Sequence, residues 1–593
     1  MYKAPVDDYK FLFEHVIGLD DLMRDIGNDD VSAELAEAVL DEAGKLAADV
    51  IAPLNHDGDI EGSKRLDDGQ VITPKGFVEA QAAMRDGGWS SMEAKPEFGG
   101  QGLPMVLTTA VNEFWQAANM SFALCHLLTQ GQIHALQKSA APDLQQTYIP
   151  PLADGRWTGT MNLTEPQAGS DLAAIKSRAV PNGDHYLITG QKIYITYGEH
   201  DMAENIVHLV LARTPDAPAG IKGISVFIVP KFLPDAAGDF TVKNDVRCLS
   251  IEKKLGIKAS PTAVMQFGET TGAVGYLVGA ENEGIDIMFG MMNHARIAVG
   301  LQGLAIADRA YQQALSYARD RVQGVPLDRQ KGDPIIHHPD ILRTLGSMKA
   351  EIEAMRAVMM TGAAAMDRAD HDSANAALDA RVGLLIPIIK GWMTERGQII
   401  ASQAVQTHGG MGFIEETGAA QHYRDARILT IYEGTTAIQA NDLVFRKTIR
   451  DQGAAVTALL DDIAADMTAL AGHDHARIPP LASAVTSAVA IARDIAAHIV
   501  RGANDPRRPA ASATNYLMLM GSLCGGWMMA RHAAAAANRL ALGDDDGAMT
   551  TKMTTKMTTA EIYMTHHLPQ VEALARSILA GDDPVLALDP DQL

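Results

Sequence analysis

Glu433 stands in Ile431-Tyr-Glu-Gly-Thr435, a carboxylate that follows an apolar pair and precedes a glycine. If those neighbours bury it, desolvation raises its pKa above the reference of about 4.3 and makes it a stronger base. Arg424 and Arg427 lie just upstream in Tyr423-Arg-Asp-Ala-Arg427. The same spacing therefore suits an ion pair that ties helices together, and from spacing alone both readings stand. A glycine-rich break, Gln406-Thr-His-Gly-Gly410-Met-Gly412, precedes them.

Three further stretches carry groups that can bind or react. Met161-Asn-Leu-Thr-Glu-Pro-Gln-Ala-Gly-Ser-Asp171 supplies hydroxyls from Thr164 and Ser170. Its Gly169 permits close backbone approach, and its Pro166 stiffens the turn. Such a loop can present N–H groups to an electron-rich ring or a phosphate, and it also reads as a plain turn between domains. Lys192-Ile-Tyr-Ile-Thr196 has strand character, with Tyr194 and Thr196 expected on one side. An aromatic beside a hydroxyl suits a flat heterocycle, and cross-strand packing explains it equally well. Met291-Met-Asn-His-Ala-Arg296 places Asn293 and Arg296 three apart on one helix face. No second His or Cys stands at metal-ligand spacing from His294, so no metal is expected.

The elements that must position these residues change texture along the chain. Apolar residues recur at helical spacing from Val31 to about Pro150, as in Leu35, Val39, Leu40, Ala43, Leu46 and Ala47. Short β-branched runs follow, Tyr186–Thr189, Lys192–Thr196, His208–Leu211 and Ile224–Val229, punctuated by Asn182-Gly183, Gly190, Gly198 and Pro230. Helical periodicity returns from Gly284 to about Arg450, interrupted by a polar loop at Arg329–Pro339. An Ala- and Leu-rich segment closes the chain and contains the tandem Met549-Thr-Thr-Lys-Met-Thr-Thr-Lys-Met-Thr-Thr559. The expected organisation is a helical domain at 1–155, a β-barrel domain at 156–280, a helical bundle at 281–450 and a C-terminal helical extension at 451–593. The fold class is mainly α with a central β domain.

Composition narrows the function classes. At about 150 residues per domain, 593 residues suggest roughly four structural units. Fifty Lys and Arg against 73 Asp and Glu leave a formal charge of −23, which disfavours general binding to nucleic acid or anionic membrane. Cys125, Cys248 and Cys524 are too few and too scattered for a disulfide framework, which fits a reducing compartment. Asp7, Asp8 and Glu14 near the start are residues a secretory or transit peptide avoids. The apolar stretch Leu517–Ala530 is shorter than the roughly 20 residues a bilayer needs and reads as a buried helix. No membrane span and a cytoplasmic location are expected.

Together these motifs resemble the acyl-CoA dehydrogenase family. Met161–Asp171 is similar to its flavin-loop signature, and Ile431–Thr435 to its catalytic Tyr-Glu-Gly-Thr element. The resemblance spans about residues 30–447 in the family's own domain order. It implies FAD, contacted by Met161, Leu163, Thr164, Gly169, Ser170, Tyr194, Thr196 and Thr435. Many members have Trp where Tyr194 stands. Arg321 and Gln323 match an element that reaches the FAD of a partner subunit, as do Gln406, Gly409 and Gly410, which implies a homo-oligomer with a dimer favoured. His338 also falls near that loop.

Ser170, Asn293, Arg296 and Gly434 are implied substrate contacts, Asn293 replacing the family's Asp. Members with their base on that helix have Glu where Ala295 stands, and alanine cannot abstract a proton, which points to Glu433 as the base. The implied reaction is α,β-dehydrogenation of an acyl-CoA to a trans-2-enoyl-CoA. The thioester oxygen would be held by the Glu433 N–H and a flavin hydroxyl, and electrons would leave through electron-transferring flavoprotein. The C-terminal extension and the start Met1-Tyr-Lys-Ala-Pro-Val-Asp-Asp8 resemble an extended bacterial subgroup. That subgroup implies 3-(methylthio)propionyl-CoA as substrate and methylthioacryloyl-CoA as product, in dimethylsulfoniopropionate degradation. The other readings are a short- or medium-chain fatty acyl-CoA dehydrogenase, an acyl-CoA oxidase, and a flavin-free helical scaffold.

Overall fold

A computed structural model describes residues 2–28, 30–543 and 547–593. The chain forms two compact units: Met1–Gly44, Met105–Ala117 and Val299–Leu593 make the first, and Lys45–Pro104 with Ala118–Ala298 the second.

The second unit is built on an eight-stranded sheet. Its strands run in the order Val246–Ile251, Thr262–Phe267, His185–Thr196, Ala273–Leu277, Ser225–Pro230, Asn205–Ala212 and Trp157–Asn162, with Arg178–Asn182 also paired to His185–Thr196. Pairing is antiparallel except between Trp157–Asn162 and Asn205–Ala212. Successive side chains on a strand point to opposite faces, and here both faces are buried. Val207, Leu209, Leu211, Val226 and Ile228 pack with Ile133, Leu136 and Trp157. Val210, Ala212, Phe227 and Val229 pack instead with Ile188, Ala263, Met265 and Phe267. The runs Tyr186–Thr189 and Lys192–Thr196, expected as separate short strands, are one 12-residue strand, because Gly190 stays paired to Phe267.

The first unit is helical. Gly303 and Gly397 meet face to face, and a Cβ on Gly397 would stand 2.4 Å from the Gly303 carbonyl oxygen. That close approach joins Gly284–Asp320 to Ala376–His408. Leu517–Ala530 lies inside the long helix Arg507–Ala541 and is almost wholly buried. Its Gly521 sits on Trp392, with an added Cβ 2.2 Å from the indole, and Gly391 likewise faces Leu517 at 2.4 Å. The C-terminal extension is therefore seated directly on Ala376–His408.

The tandem Met-Thr-Thr-Lys run forms part of the Gly547–His566 helix. Its four-residue spacing puts Lys552 and Lys556 on one side. They meet Asp7 at 3.2 Å and Asp8 at 2.9 Å in the N-terminal helix Val6–Leu12. Deeper in, Arg356 binds Glu113 at 2.6 Å and lies 3.6 Å from Asp8. Ile478–Asn504 is long and apolar enough to cross a membrane by length and composition alone. Its helix buries Leu481, Val485, Ala488, Ala492, Ile495 and Ile499, the three-and-four spacing of one apolar stripe against neighbours.

Candidate active site

In the second unit the loop after Trp157–Asn162 is tied down by its own glutamate. Oε1 of Glu165 accepts from Ser177 N at 3.1 Å, Ser177 Oγ at 2.7 Å and Lys192 Nζ at 2.8 Å. Its Oε2 accepts from Lys176 N at 2.7 Å and Gln167 Nε2 at 2.6 Å. Burial disfavours the charge, but the Lys192 ammonium and these donors outweigh it and lower the pKa to about 2. Lys192 also donates to the Leu163 carbonyl at 3.0 Å, and Ile193 N donates to Thr164 O at 2.9 Å. Loop and strand are thus one rigid piece. Sequence reasoning quoted Glu165 and Lys192 without giving them a role. The available signal was a lysine inside an otherwise apolar strand.

What that piece leaves outward are the residues expected to meet a cofactor. Met161, Leu163, Thr164 and Thr196 are half-buried, Gly169 and Ser170 are exposed, and Tyr194 is 61 % exposed. Strict alternation fails here. The pairing slips between Ala263 and Met265, so Lys192 and Ile195 are both buried, three apart. At that bulge Tyr194 adopts φ +61°, a region an aromatic residue rarely visits. The bulge turns the ring out of the sheet. A Cβ on Gly169 would meet nothing within 4 Å, so this stretch fronts open space.

On the helix Gly284–Asp320, Asn293 is half-buried and Arg296 buried. His294 is buried too, its ring stacked on His134 at 5.8 Å and its Nε2 3.7 Å from the Glu93 carboxylate. Burial lowers its pKa to about 4, so it is neutral at pH 7. Met288 and Met291 belong to the hydrophobic core of this unit. Among the described residues no group of three His, Cys, Asp or Glu side chains is placed to hold a metal ion.

In the first unit Glu433 occupies a tight turn at φ +54°, followed by Gly434 at φ +89°. The positive φ favours glycine at 434, and a Cβ there would lie 2.6 Å from Gln439 Nε2 and displace the amide that braces the turn. Gln439 Nε2 donates to the Glu433 carbonyl at 3.3 Å and the Gly434 carbonyl at 3.4 Å. Lys390 Nζ donates to the Gly434 carbonyl at 2.6 Å. Tyr432 Oη donates to Gln302 Oε1, whose Nε2 donates to Gln116 Oε1 at 3.0 Å. Thr435 Oγ1 accepts from Ile438 N at 3.3 Å and opens the helix Thr436–Asn441.

The carboxylate of Glu433 is half-buried rather than sequestered. Arg424 pairs with Glu415 at 2.8 Å, among its contacts, and Arg427 donates to Thr430 Oγ1 at 2.6 Å. Gln302, Gln439 and Lys390 were missed by sequence reasoning. Lys390 had a signal, a lone cation in Leu384-Leu-Ile-Pro-Ile-Ile-Lys-Gly-Trp392.

The remaining expected residues of this unit lie on its surface. Arg321, Gln323, Gln406, Gly409 and Gly410 are all exposed. Cβ atoms on Gly409 and Gly410 would meet nothing within 4 Å. His338 is held by the loop itself, its Nε2 3.0 Å from the Gln323 carbonyl oxygen.

Four family patterns match successive parts of the chain. They are the acyl-CoA dehydrogenase N-terminal domain at 33–156, the middle domain at 160–270, the C-terminal domain at 282–447, and an acetyl-CoA dehydrogenase C-terminal-like domain at 458–589. The 3-methylmercaptopropionyl-CoA dehydrogenase of Ruegeria pomeroyi is 46 % identical over 99 % of both chains. The broad-specificity linear acyl-CoA dehydrogenase FadE5 of Mycobacterium tuberculosis is 32 % identical, again over 99 % of both. Among solved structures, an acyl-CoA dehydrogenase complexed with FAD from Bacillus anthracis aligns with TM-score 0.74 at 21 % identity, covering 95 % of this chain and 90 % of that one.

Proposed function

This chain belongs to the acyl-CoA dehydrogenase family, and from that premise we propose that it converts 3-(methylthio)propionyl-CoA to methylthioacryloyl-CoA, with Glu433 as the base. The observation that carries the assignment of the base is the over-determined turn. Two side chains, Lys390 and Gln439, hold the carbonyls of Glu433 and Gly434 in left-handed backbone, and the neighbouring Tyr432 is anchored to Gln302. Strained backbone persists only where its surroundings enforce it, and such enforcement clusters at reacting groups. The thioether substrate is supported by the full-length likeness to the Ruegeria enzyme.

FAD is the cofactor of this family, and the residues present fit it. The open-faced Gly169, the hydroxyls of Thr164 and Ser170, and the outward ring of Tyr194 offer hydrogen-bond donors and a flat apolar contact. Met161, Leu163, Thr196 and Thr435 complete the proposed set. When bound, FAD supplies a two-electron acceptor that takes the β-hydrogen as hydride.

The protein's own residues do the rest. Asn293 and Arg296 hold the pantetheine arm, with Ser170 and Gly434 also against substrate. The Glu433 N–H, fixed by the turn, donates to the thioester oxygen, where negative charge grows as the α-carbon loses its proton. The Glu433 carboxylate accepts that proton. Its left-handed backbone aims it without conformational search at the moment of reaction.

Electron-transferring flavoprotein as the acceptor follows from the family reading. A homodimer is supported by Arg321, Gln323, Gln406, Gly409 and Gly410, which are exposed in one chain although they match cofactor-contacting elements. Phe413 and Leu327 in the same loops are 84 % and 74 % exposed, as residues awaiting an apolar partner are. A cytoplasmic location is supported by three buried cysteines, all free. The test is turnover of 3-(methylthio)propionyl-CoA against butyryl-CoA and octanoyl-CoA with a dye acceptor, FAD content being measured on the same sample. Faster turnover of the thioether substrate supports the proposal. Preference for a fatty acyl chain, or peroxide formation with oxygen as the acceptor, overturns it.

A further inference from the structure

We propose that Lys390 is a positioning residue for Glu433: its ammonium locks the backbone of the turn that carries the carboxylate, and its charge favours the ionised form that can accept a proton. The inference deepens the reading of Glu433 as the base and rests on it.

Lys390 is fully buried, in a helix segment whose other large side chains are Leu384, Leu385, Ile386, Ile388, Ile389 and Trp392. An ammonium is costly to bury, so its presence there calls for a compensating interaction. One such contact is with the Gly434 carbonyl, 2.6 Å away, one residue past Glu433. A charged donor at that distance makes a strong hydrogen bond. With Gln439 holding the Glu433 carbonyl at 3.3 Å, two consecutive carbonyls are fixed at once. The helix under Lys390 is itself fixed, because Gly391 and Trp392 are wedged against Leu517 and Gly521 of the C-terminal extension. The extension therefore supports the turn through Lys390 without contributing a side chain to it.

The charges around the turn make Lys390 electrostatically significant. On its own segment Tyr432 is kept a neutral phenol, its pKa pushed well up by burial and then by the charge of Glu433. On Ala376–His408, besides Lys390, Glu395 faces the turn and accepts from Thr436 Oγ1 at 2.5 Å. On Ala419–Ala426, Asp425 also acts on the Tyr432 phenol, and Arg424 is a second cation near the turn, with Glu415 among its partners. Arg427 is bound to Thr430. The Lys390 cation is bonded to the turn's own backbone one residue past Glu433, and a nearby cation favours the ionised form of a carboxyl group.

The experiment compares Lys390→Met and Lys390→Gln with Gln439→Met, which loosens the turn without changing charge. Each variant is assayed for FAD content and circular dichroism. Each is then assayed for the pH dependence of kcat/KM with 3-(methylthio)propionyl-CoA and a dye acceptor. Both lysine variants should move the acid limb upward by about half a pH unit or more, as loss of a nearby opposite charge requires. They should cut kcat by about tenfold or more with KM changed less than about threefold, the pattern of an interaction made in the transition state. Gln439→Met should lower kcat and leave the limb in place. Folded, flavin-loaded lysine variants with an unmoved limb overturn the proposal. Loss of folding in both overturns it as well, since Lys390 would then serve the fold and not the base. Glu433→Gln in the same series separates the two readings: if it stays active, the assignment of the base fails first.

Discussion

The Lys192 ammonium lies 2.8 Å from the Glu165 carboxylate, and both groups are buried where the 161–171 loop meets the strand His185–Thr196. A buried pair of this kind is destabilising to break, because removing one partner leaves the other charge desolvated and alone. Glu165→Ala is expected to cost about 3–5 kcal/mol. Glu165→Leu combined with Lys192→Met should cost less than either change alone. Chemical denaturation of the three variants checks this, and additive losses would count against it.

The same pair sets an acid limit. With its pKa lowered to about 2 in the fold, Glu165 contributes stability that is fully present above the unfolded carboxyl value of about 4.3. That contribution is lost only as pH falls through the folded value. FAD retention should therefore survive to about pH 4 and be lost only as pH falls toward about 2, as followed by flavin fluorescence on acid titration.

Asp367 has the opposite sign. Its carboxylate accepts from Met105 N at 2.6 Å and Val106 N at 2.9 Å, capping the helix Met105–Ala118, while burial raises its pKa to about 7. Between about pH 4 and 7 the folded protein holds a proton that the unfolded chain has lost, so stability falls as pH rises through that window. Asp367→Asn, which cannot titrate, should equal the parent near pH 4. At pH 8 it should exceed it by on the order of 2–4 kcal/mol. A constant difference across pH would refute the assignment.

Tyr194 holds φ +61° at a β-bulge with its ring outward. Tyr194→Gly should stabilise the flavin-free protein by about 0.5–1 kcal/mol through relief of that backbone, while weakening FAD binding through loss of the ring. Thermal unfolding of flavin-free protein and flavin titration read the two effects separately. Tighter FAD binding in the glycine variant would contradict the proposed ring contact.

Arg321 tests the shared cofactor site. Arg321→Ala should lower FAD occupancy of purified protein while the chain stays folded. Unchanged occupancy would refute a contact from Arg321 to a partner's cofactor.

Much of this was legible in order along the chain. The helical, β and helical textures, the loop at 161–171 and the turn at 431–435 are local patterns, and local patterns survive in one dimension. What stayed hidden is what distant residues do for those patterns. Lys192 reaches back 27 positions to Glu165, Lys390 lies 44 before Gly434, and Gln302 is 130 from Tyr432. No periodicity announces such partners. The bulge at Tyr194 was missed because alternation is the default expectation for a strand, and the slip depends on register with Ala263 and Met265. The tandem Met-Thr-Thr-Lys run carried no sign in one dimension of the N-terminal aspartates that face it.

The identity of the base is open to a measurement that needs no turnover. (Methylthio)acetyl-CoA carries sulfur at its β-position and has no β-hydrogen to lose, so exchange of its α-protons in deuterium oxide reads proton abstraction alone. Flavin-loaded protein should wash deuterium into the α-carbon. Glu433→Gln, with the same FAD content and thermal midpoint, should do so slower by about a thousandfold or more, since an amide is no base. Exchange at the parent rate in that variant would show that another group takes the proton.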